Sequence, residues 1–177
     1  GGLNLYPEKV PTWNGEDPYI YSIILWITHH PIQAMAQYRQ AKTLSIEAAS
    51  YIAGLVDGEG SITLTRKHKG DMRQPAITIA STESQLLEYV LNQTGVGKIT
   101  NKTTKANYKQ AFTYAVYNRQ ALNILRQLEP YLLSYKKARA KLLIDQYIQV
   151  TPRNGKYNSE QLAARSIFEQ IFLGIVQ

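Results

Sequence analysis

Two hydrophobic rhythms alternate along this chain. From Ser45 the spacing is helical: Ile46, Ala49, Ala53 and Val56 would share one apolar face. Ser45 is placed to cap that helix, with Glu47 in its first turn. After Gly60 the period drops to two. Ser61-Ile62-Thr63-Leu64-Thr65 and Ala76-Ile77-Thr78-Ile79-Ala80 both alternate polar with apolar, so a hairpin is predicted across the charged turn Lys67 to Gln74. Glu83 to Thr94 returns to the helical period, with Leu86, Leu87, Val90 and Leu91 inward, and Gly95-Val96-Gly97 ends it. Lys98–Lys102 and Tyr108–Tyr117 predict a second hairpin around polar residues 103–107. Helices are then predicted over Asn118–Leu128, Tyr135–Val150 and Ser159–Ile175, the last capped by Ser159.

That order of helix, hairpin, helix, hairpin and two helices predicts an α+β domain. Its antiparallel sheet would be covered by helices on one face and polar on the other. Ahead of it, residues 1–18 hold Pro7, Pro11, Gly15 and Pro18 and read as an irregular arm. Tyr19–Ile27 is apolar, and Ile32–Ala41 has the spacing of a short amphipathic helix. The expected division is therefore an N-terminal extension over 1–44 and a single domain over 45–177. His29 and His30 are adjacent and face different ways on a helix, which argues against a metal pair.

Composition narrows the function. With no cysteine in 177 residues, disulfides, Cys-ligated zinc, iron–sulfur clusters and thiol catalysis are excluded. No apolar run approaches the ~20 residues of a membrane span. The net charge of +7 is unevenly spread. Residues 1–60 carry three basic and six acidic side chains, whereas residues 98–141 carry ten basic side chains and the single acid Glu129. Such a block suits a polyanion, and its interleaving with Asn, Gln, Thr and Tyr favours nucleic acid.

The chemistry concentrates in Tyr51-Ile52-Ala53-Gly54-Leu55-Val56-Asp57-Gly58-Glu59-Gly60. Gly54 costs a helix interior about 1 kcal/mol against Ala, which makes sense where another helix must come close. Gly58 and Gly60 are expected to break the helix around Glu59, with Asp57 just before it. Carboxylates at the negative end of a helix dipole call for a positive partner, and a divalent cation is the simplest.

Ile52 to Gly60 resembles the nine-residue signature of the LAGLIDADG homing endonucleases, and Gly95-Val96-Gly97 and Pro130 followed by Lys136-Lys137 are similar to its single-motif members. The likeness extends over roughly Ser45 to Val150. It implies an αββαββα core with a saddle-shaped sheet, and a site-specific endonuclease acting on double-stranded DNA rather than a small molecule or membrane. It also implies expression from an intron in a chloroplast or mitochondrion. The same fold serves RNA-binding intron maturases and non-catalytic DNA-binding regulators, which stand as alternatives.

Only one motif copy is present, since Phe172-Leu173-Gly174-Ile175-Val176 has no acid. Its small-residue face is expected to pair with a second copy of itself in a twofold dimer, as the resemblance also implies. Ala49, Ala53, Gly54 and Asp57 are the expected interface, Asp57 capping a helix across it. Glu59 and the Gly58 carbonyl would then offer hard oxygens to Mg²⁺, with Mn²⁺ a substitute and Ca²⁺ binding without cleavage. Strands cut across the minor groove would leave a staggered break in a long pseudo-palindromic site.

The resemblance assigns Lys136, with Lys137 as the alternative, to the surroundings of the scissile phosphate. The Gln and Arg used by single-motif members near the second strand are absent from Ala80-Ser81-Thr82-Glu83, which leaves Ser81 as the polar candidate. The expected DNA contacts are Ser61, Thr63, Thr65, Lys67, Lys69, Arg73, Gln74, Thr78, Lys98, Thr100, Lys102, Tyr108, Gln110 and Tyr114.

Overall fold

A computed structural model describes residues 39–102, 110–152 and 154–176. The arm, the Tyr19–Ile27 segment, the histidine pair and Tyr108 lie outside the described residues. The chain divides into Gly1–Tyr38 and Arg39–Gln177, and only the second unit is described below. Residues 39–45 carry no regular structure, so the helix expected as far as Ala41 is not seen in its last residues.

The motif helix α1 (Ile46–Glu59) starts at Ser45, whose side chain accepts from the Ala48 amide. Strands β1 (Gly60–Thr65) and β2 (Gln74–Ser81) form the first hairpin. Helix α2 (Ser84–Thr94) leads to β3 (Lys98–Lys102) and β4 (Ala111–Tyr117). Helix α3 (Asn118–Leu128) runs through a 3-10 turn at Glu129–Tyr131 to α4 (Lys136–Gln146), and α5 (Ser159–Gly174) closes the chain. The cap of α5 is Asn158 rather than Ser159. Its side chain accepts from the Gln161 amide while the Gln161 side chain returns to the Asn158 backbone.

The sheet is antiparallel throughout, in the order β1-β2-β4-β3. Alternation sends Ile62, Leu64, Ile77, Ile79, Tyr114 and Val116 into the core. There they meet Ile52, Ala53 and Val56 of α1, Leu87 and Val90 of α2, and Leu122 and Leu125 of α3. Ile46, expected on that face, is 68% exposed because it sits at the first position of α1, beyond the edge of the core. Among the described residues no helix is long and apolar enough to cross a membrane.

An edge strand presents unpaired carbonyls that must be covered. On β1, Arg139 Nη1 donates to Ile62 O at 3.1 Å and Arg73 Nη1 to Leu64 O at 3.2 Å. Both guanidiniums are held by α5 and its C-cap: Arg139 Nε donates to the cap carbonyl Ile175 O, and Arg73 pairs with Glu169 of the helix. Arg165, fully buried, stacks over Tyr147 and donates to Glu169, Thr151 and the Arg73 carbonyl. The C-terminal helix thus seals the outer edge of the sheet.

Candidate active site and nucleic-acid interface

Helix α1 does not break at Gly58, as the sequence suggested. It runs through Glu59, and β1 begins at the next residue. Gly60 makes that abrupt join possible: a Cβ there would lie 2.7 Å from Val56 Cα and 3.0 Å from Thr78 O. The motif acid is therefore fixed where helix meets sheet. Glu59 is exposed, and its carboxylate has no hydrogen bond or ion pair among the described residues.

The end of α1 is tied to the start of α4. Lys136 is 7% exposed, and its Nζ donates to Val56 O at 2.9 Å and Asp57 O at 2.8 Å. A cation capping terminal carbonyls complements the helix dipole, which explains an ammonium buried without a carboxylate partner. Lys137, the alternative, reaches Pro130 O at 3.5 Å on the exposed side. The two lysines are thus separated: Lys136 belongs to the motif helix end and Lys137 does not.

Asp57 works beside it. Its Oδ2 accepts from the Leu133 amide at 2.7 Å, and its Oδ1 from the Ser134 hydroxyl at 2.5 Å. Partial burial raises the Asp57 pKa, but the Ser134 hydroxyl, the Leu133 and Ser134 amides and the Lys136 charge outweigh it and hold the carboxyl below its ordinary value. The capping expected across an interface is made within the same chain, so Asp57 is spent on the turn leading into α4 rather than on a partner.

The interface expectation for Ala49 and Ala53 is likewise corrected. They are 3% and 0% exposed, packed on this chain's own core, because the helix turns its alanines toward the sheet. The opposite stripe carries Tyr51, Gly54 and Gly58, all exposed. Among the described residues, a Cβ at Gly54 or Gly58 would meet nothing within 4 Å. Tyr51 stands edge-on to Tyr89 of α2, with ring centroids 5.3 Å apart, beside a groove of about 540 Å³ that includes Leu86.

Ser81 ends β2, two residues past Ile79, the partner of Gly60, and so lies at the same end of the sheet as Glu59. Its hydroxyl accepts from the Glu83 amide at 2.9 Å and shapes the turn into α2.

The face of the sheet away from the core is polar. Ser61, Thr63 and Thr65 share it with Gln74 and Thr78, and the Ser61 and Thr78 hydroxyls meet at 2.7 Å. Lys98 and Thr100 continue it on β3, opposite Ala115 and Thr113, while Lys102 pairs with Ala111. Lys67 and Lys69 are exposed in the β1–β2 turn, and Gln110 is exposed just before β4.

Two expected contacts are not on this face. Tyr114 is 1% exposed in the core, its hydroxyl donating to Val96 O at 2.9 Å and meeting Thr94 at 3.1 Å. Burial drives its pKa up to about 12 despite the Thr94 hydrogen bond. Gly97 makes room for it, since a Cβ there would fall 2.7 Å from the ring. Arg73 lies across the strand from Gln74's side and is occupied by Leu64 O and Glu169. Thr113 and Tyr117, which the sequence reading passed over, occupy the outer face instead. Phe112 and Val116 held the signal: with them inward, Tyr114 follows inward and Thr113 and Tyr117 outward.

A LAGLIDADG endonuclease family profile matches residues 52–148. No curated protein matches the sequence. The homing endonuclease I-CvuI, solved in complex with its target, aligns with a TM-score of 0.59 at 21% identity, over 75% of this chain and 83% of that one. The homing endonuclease I-TnaI aligns with a TM-score of 0.52 at 17% identity, over 76% of this chain and 95% of that one. The group I intron-encoded homing endonuclease I-CeuI, complexed with DNA, aligns at 0.53 and 18% identity, over 74% and 68%. Likeness at this identity establishes the fold, and the profile, spanning more than half of the sequence, establishes the lineage: the chain belongs to the LAGLIDADG endonuclease family.

Proposed function

We propose that this protein is a site-specific double-strand DNA endonuclease that works as a homodimer. The observation that carries the reading is the glycine stripe of α1. Gly54 and Gly58 are exposed and a Cβ at either would have no neighbour within 4 Å among the described residues, and the stripe leads directly to the Glu59 carboxylate, which has no partner among those residues. A second copy covering it would bring two Glu59 side chains together beneath one continuous polar surface. Tyr51 and Tyr89 flank the stripe and would add aromatic area to the same contact.

The donors suit a hard divalent cation. Glu59 supplies carboxylate oxygens and Gly58 a carbonyl at the helix end, while Lys136 and Gly60 already occupy the Val56 and Asp57 carbonyls. One protomer has too few oxygens for six-coordinate Mg²⁺, so the partner, water and DNA phosphate must complete the set. A bound divalent cation supplies Lewis-acid stabilisation for phosphodiester hydrolysis. I-CvuI has been crystallised on DNA with calcium and, uncleaved, with magnesium, which supports a divalent cofactor here.

The chain's own residues do the rest. Lys136 and Asp57 hold the end of α1 so that Glu59 keeps one position relative to the sheet. Lys67, Lys69 and Lys98 neutralise phosphates, and the hydroxyls and amides of the outer face meet base edges in the major groove. Two copies facing one minor groove place the acids between opposite strands and give a staggered cut.

The test is selection from a randomised duplex library with Mg²⁺. The expected outcome is a long pseudo-palindrome cut on both strands by a species that sediments as a dimer. Binding without cutting would favour a regulator, and preference for intron RNA a maturase.

A further inference from the structure

At one end of the outer face the strands leave a cleft of about 350 Å³ lined by Thr65, Arg66, Lys67, Gln74, Lys98 and Tyr117. Three of these are cations and none is an acid. Tyr117 stands out on a surface of hydroxyls, amides and ammonium groups as a half-exposed aromatic ring. Its cross-strand neighbour on β2 is Ala76, so no bulky side chain rises beside it there. Strand β3 begins at Lys98, opposite Ala115, so Tyr117 has no β3 partner. Gln74 and Thr65 are direct partners across β1 and β2 and face the ring across the cleft.

A phosphate alone would need only the cations. A carboxamide, a hydroxyl and a ring face together match the edge of a base pair: amide to adenine N6 and N7, apolar surface to the thymine methyl. The geometry points to Tyr117 as a specificity-determining residue that seats the C5-methyl of a thymine, with Gln74 reading the adenine of the same or the adjoining pair. Arg66, Lys67 and Lys98 hold the flanking phosphates. This rests on the proposed endonuclease function, and it adds a single apolar recognition event to a polar interface. In a symmetric dimer it occurs once in each half-site.

The experiment is a uracil scan of the selected target: each thymine in turn is replaced by uracil, which removes only the methyl group. Wild type is expected to lose about fourfold in affinity at one thymine per half-site, the value of one buried methyl. Tyr117→Ala should bind weakly at that position whether thymine or uracil is present. Tyr117→Phe keeps the ring and should keep the discrimination. Lys98→Gln should weaken all duplexes alike and lower the salt slope by about one. A flat scan, or a methyl dependence unchanged in Tyr117→Ala, overturns the inference while leaving the endonuclease standing. Failure of wild type to select any duplex overturns both.

Discussion

The Lys136 ammonium lies 2.8 Å from the Asp57 carbonyl and 2.9 Å from that of Val56, so one charged side chain from the second half of the domain caps the last turn of the motif helix. Hydrogen bonds to charged groups contribute roughly 1.5–3 kcal/mol each, and losing the donor leaves both carbonyls short. Lys136→Met should therefore lower the urea midpoint by an amount worth about 2 kcal/mol and slow cleavage more than it weakens DNA binding. Lys137→Met should change stability by less than about 0.5 kcal/mol.

Asp57 gives a pH signature. Its carboxyl is held below its ordinary value of 3.8 in the folded chain, so the folded state favours the ionised form. Its contribution is present above that value and is lost as pH falls through the folded pKa. Wild type should be more stable than Asp57→Asn at neutral pH, with the gap narrowing below about pH 4. A gap that stays constant down to pH 2 would remove this role, and denaturant titrations across that range decide it.

Glycine positions separate folding from pairing. The space around a Cβ at Gly54 is open among the described residues, so the Gly54→Leu monomer should hold its stability, with about 1 kcal/mol of gain from helix propensity. The same variant should dissociate the dimer in sedimentation and abolish cutting. Gly60→Ala should instead destabilise the fold, because its Cβ would strike Val56 Cα. Thermal melts and sedimentation velocity together distinguish the two outcomes.

Tyr114 and Thr113 are neighbours with opposite fates. Tyr114→Ala should cost roughly 3–5 kcal/mol as a core truncation and leave base preference unchanged in the surviving folded fraction. Thr113→Ala should leave the melting curve in place and alter binding only. Tyr114 also resists ionisation up to about pH 12, so wild type should lose stability relative to Tyr114→Phe as pH rises from 10 toward 12.

Much of this organisation was legible in the sequence because local rules set it. The periods of two and of 3.6 placed both hairpins, and Asn118–Leu128 was found to the residue. The nine-residue signature placed Glu59 at the end of α1, where the helix meets the sheet. What was illegible came from distance along the chain. Arg73 looks like a surface cation until α5 brings Glu169 to it. Asp57 looks like a ligand or an interface residue until the turn before α4 folds back onto it. Ala49 and Ala53 share with Gly54 the small size of an interface residue, and only the rotation of α1 on the sheet tells them apart. Tyr114 was misplaced by one step of alternation, the register error that moves a side chain from one face of a sheet to the other.

Glu59 is proposed to act at the reacting phosphate and not in folding or DNA recognition. Single-turnover cleavage of the selected duplex by Glu59→Gln, with binding measured on the same preparation in Ca²⁺, tests it most directly. Glu59→Gln should bind within about twofold of wild type and cleave at least about a hundredfold more slowly, in the range lost with a group stabilising the transition state. Cleavage at the wild-type rate by Glu59→Gln would contradict it.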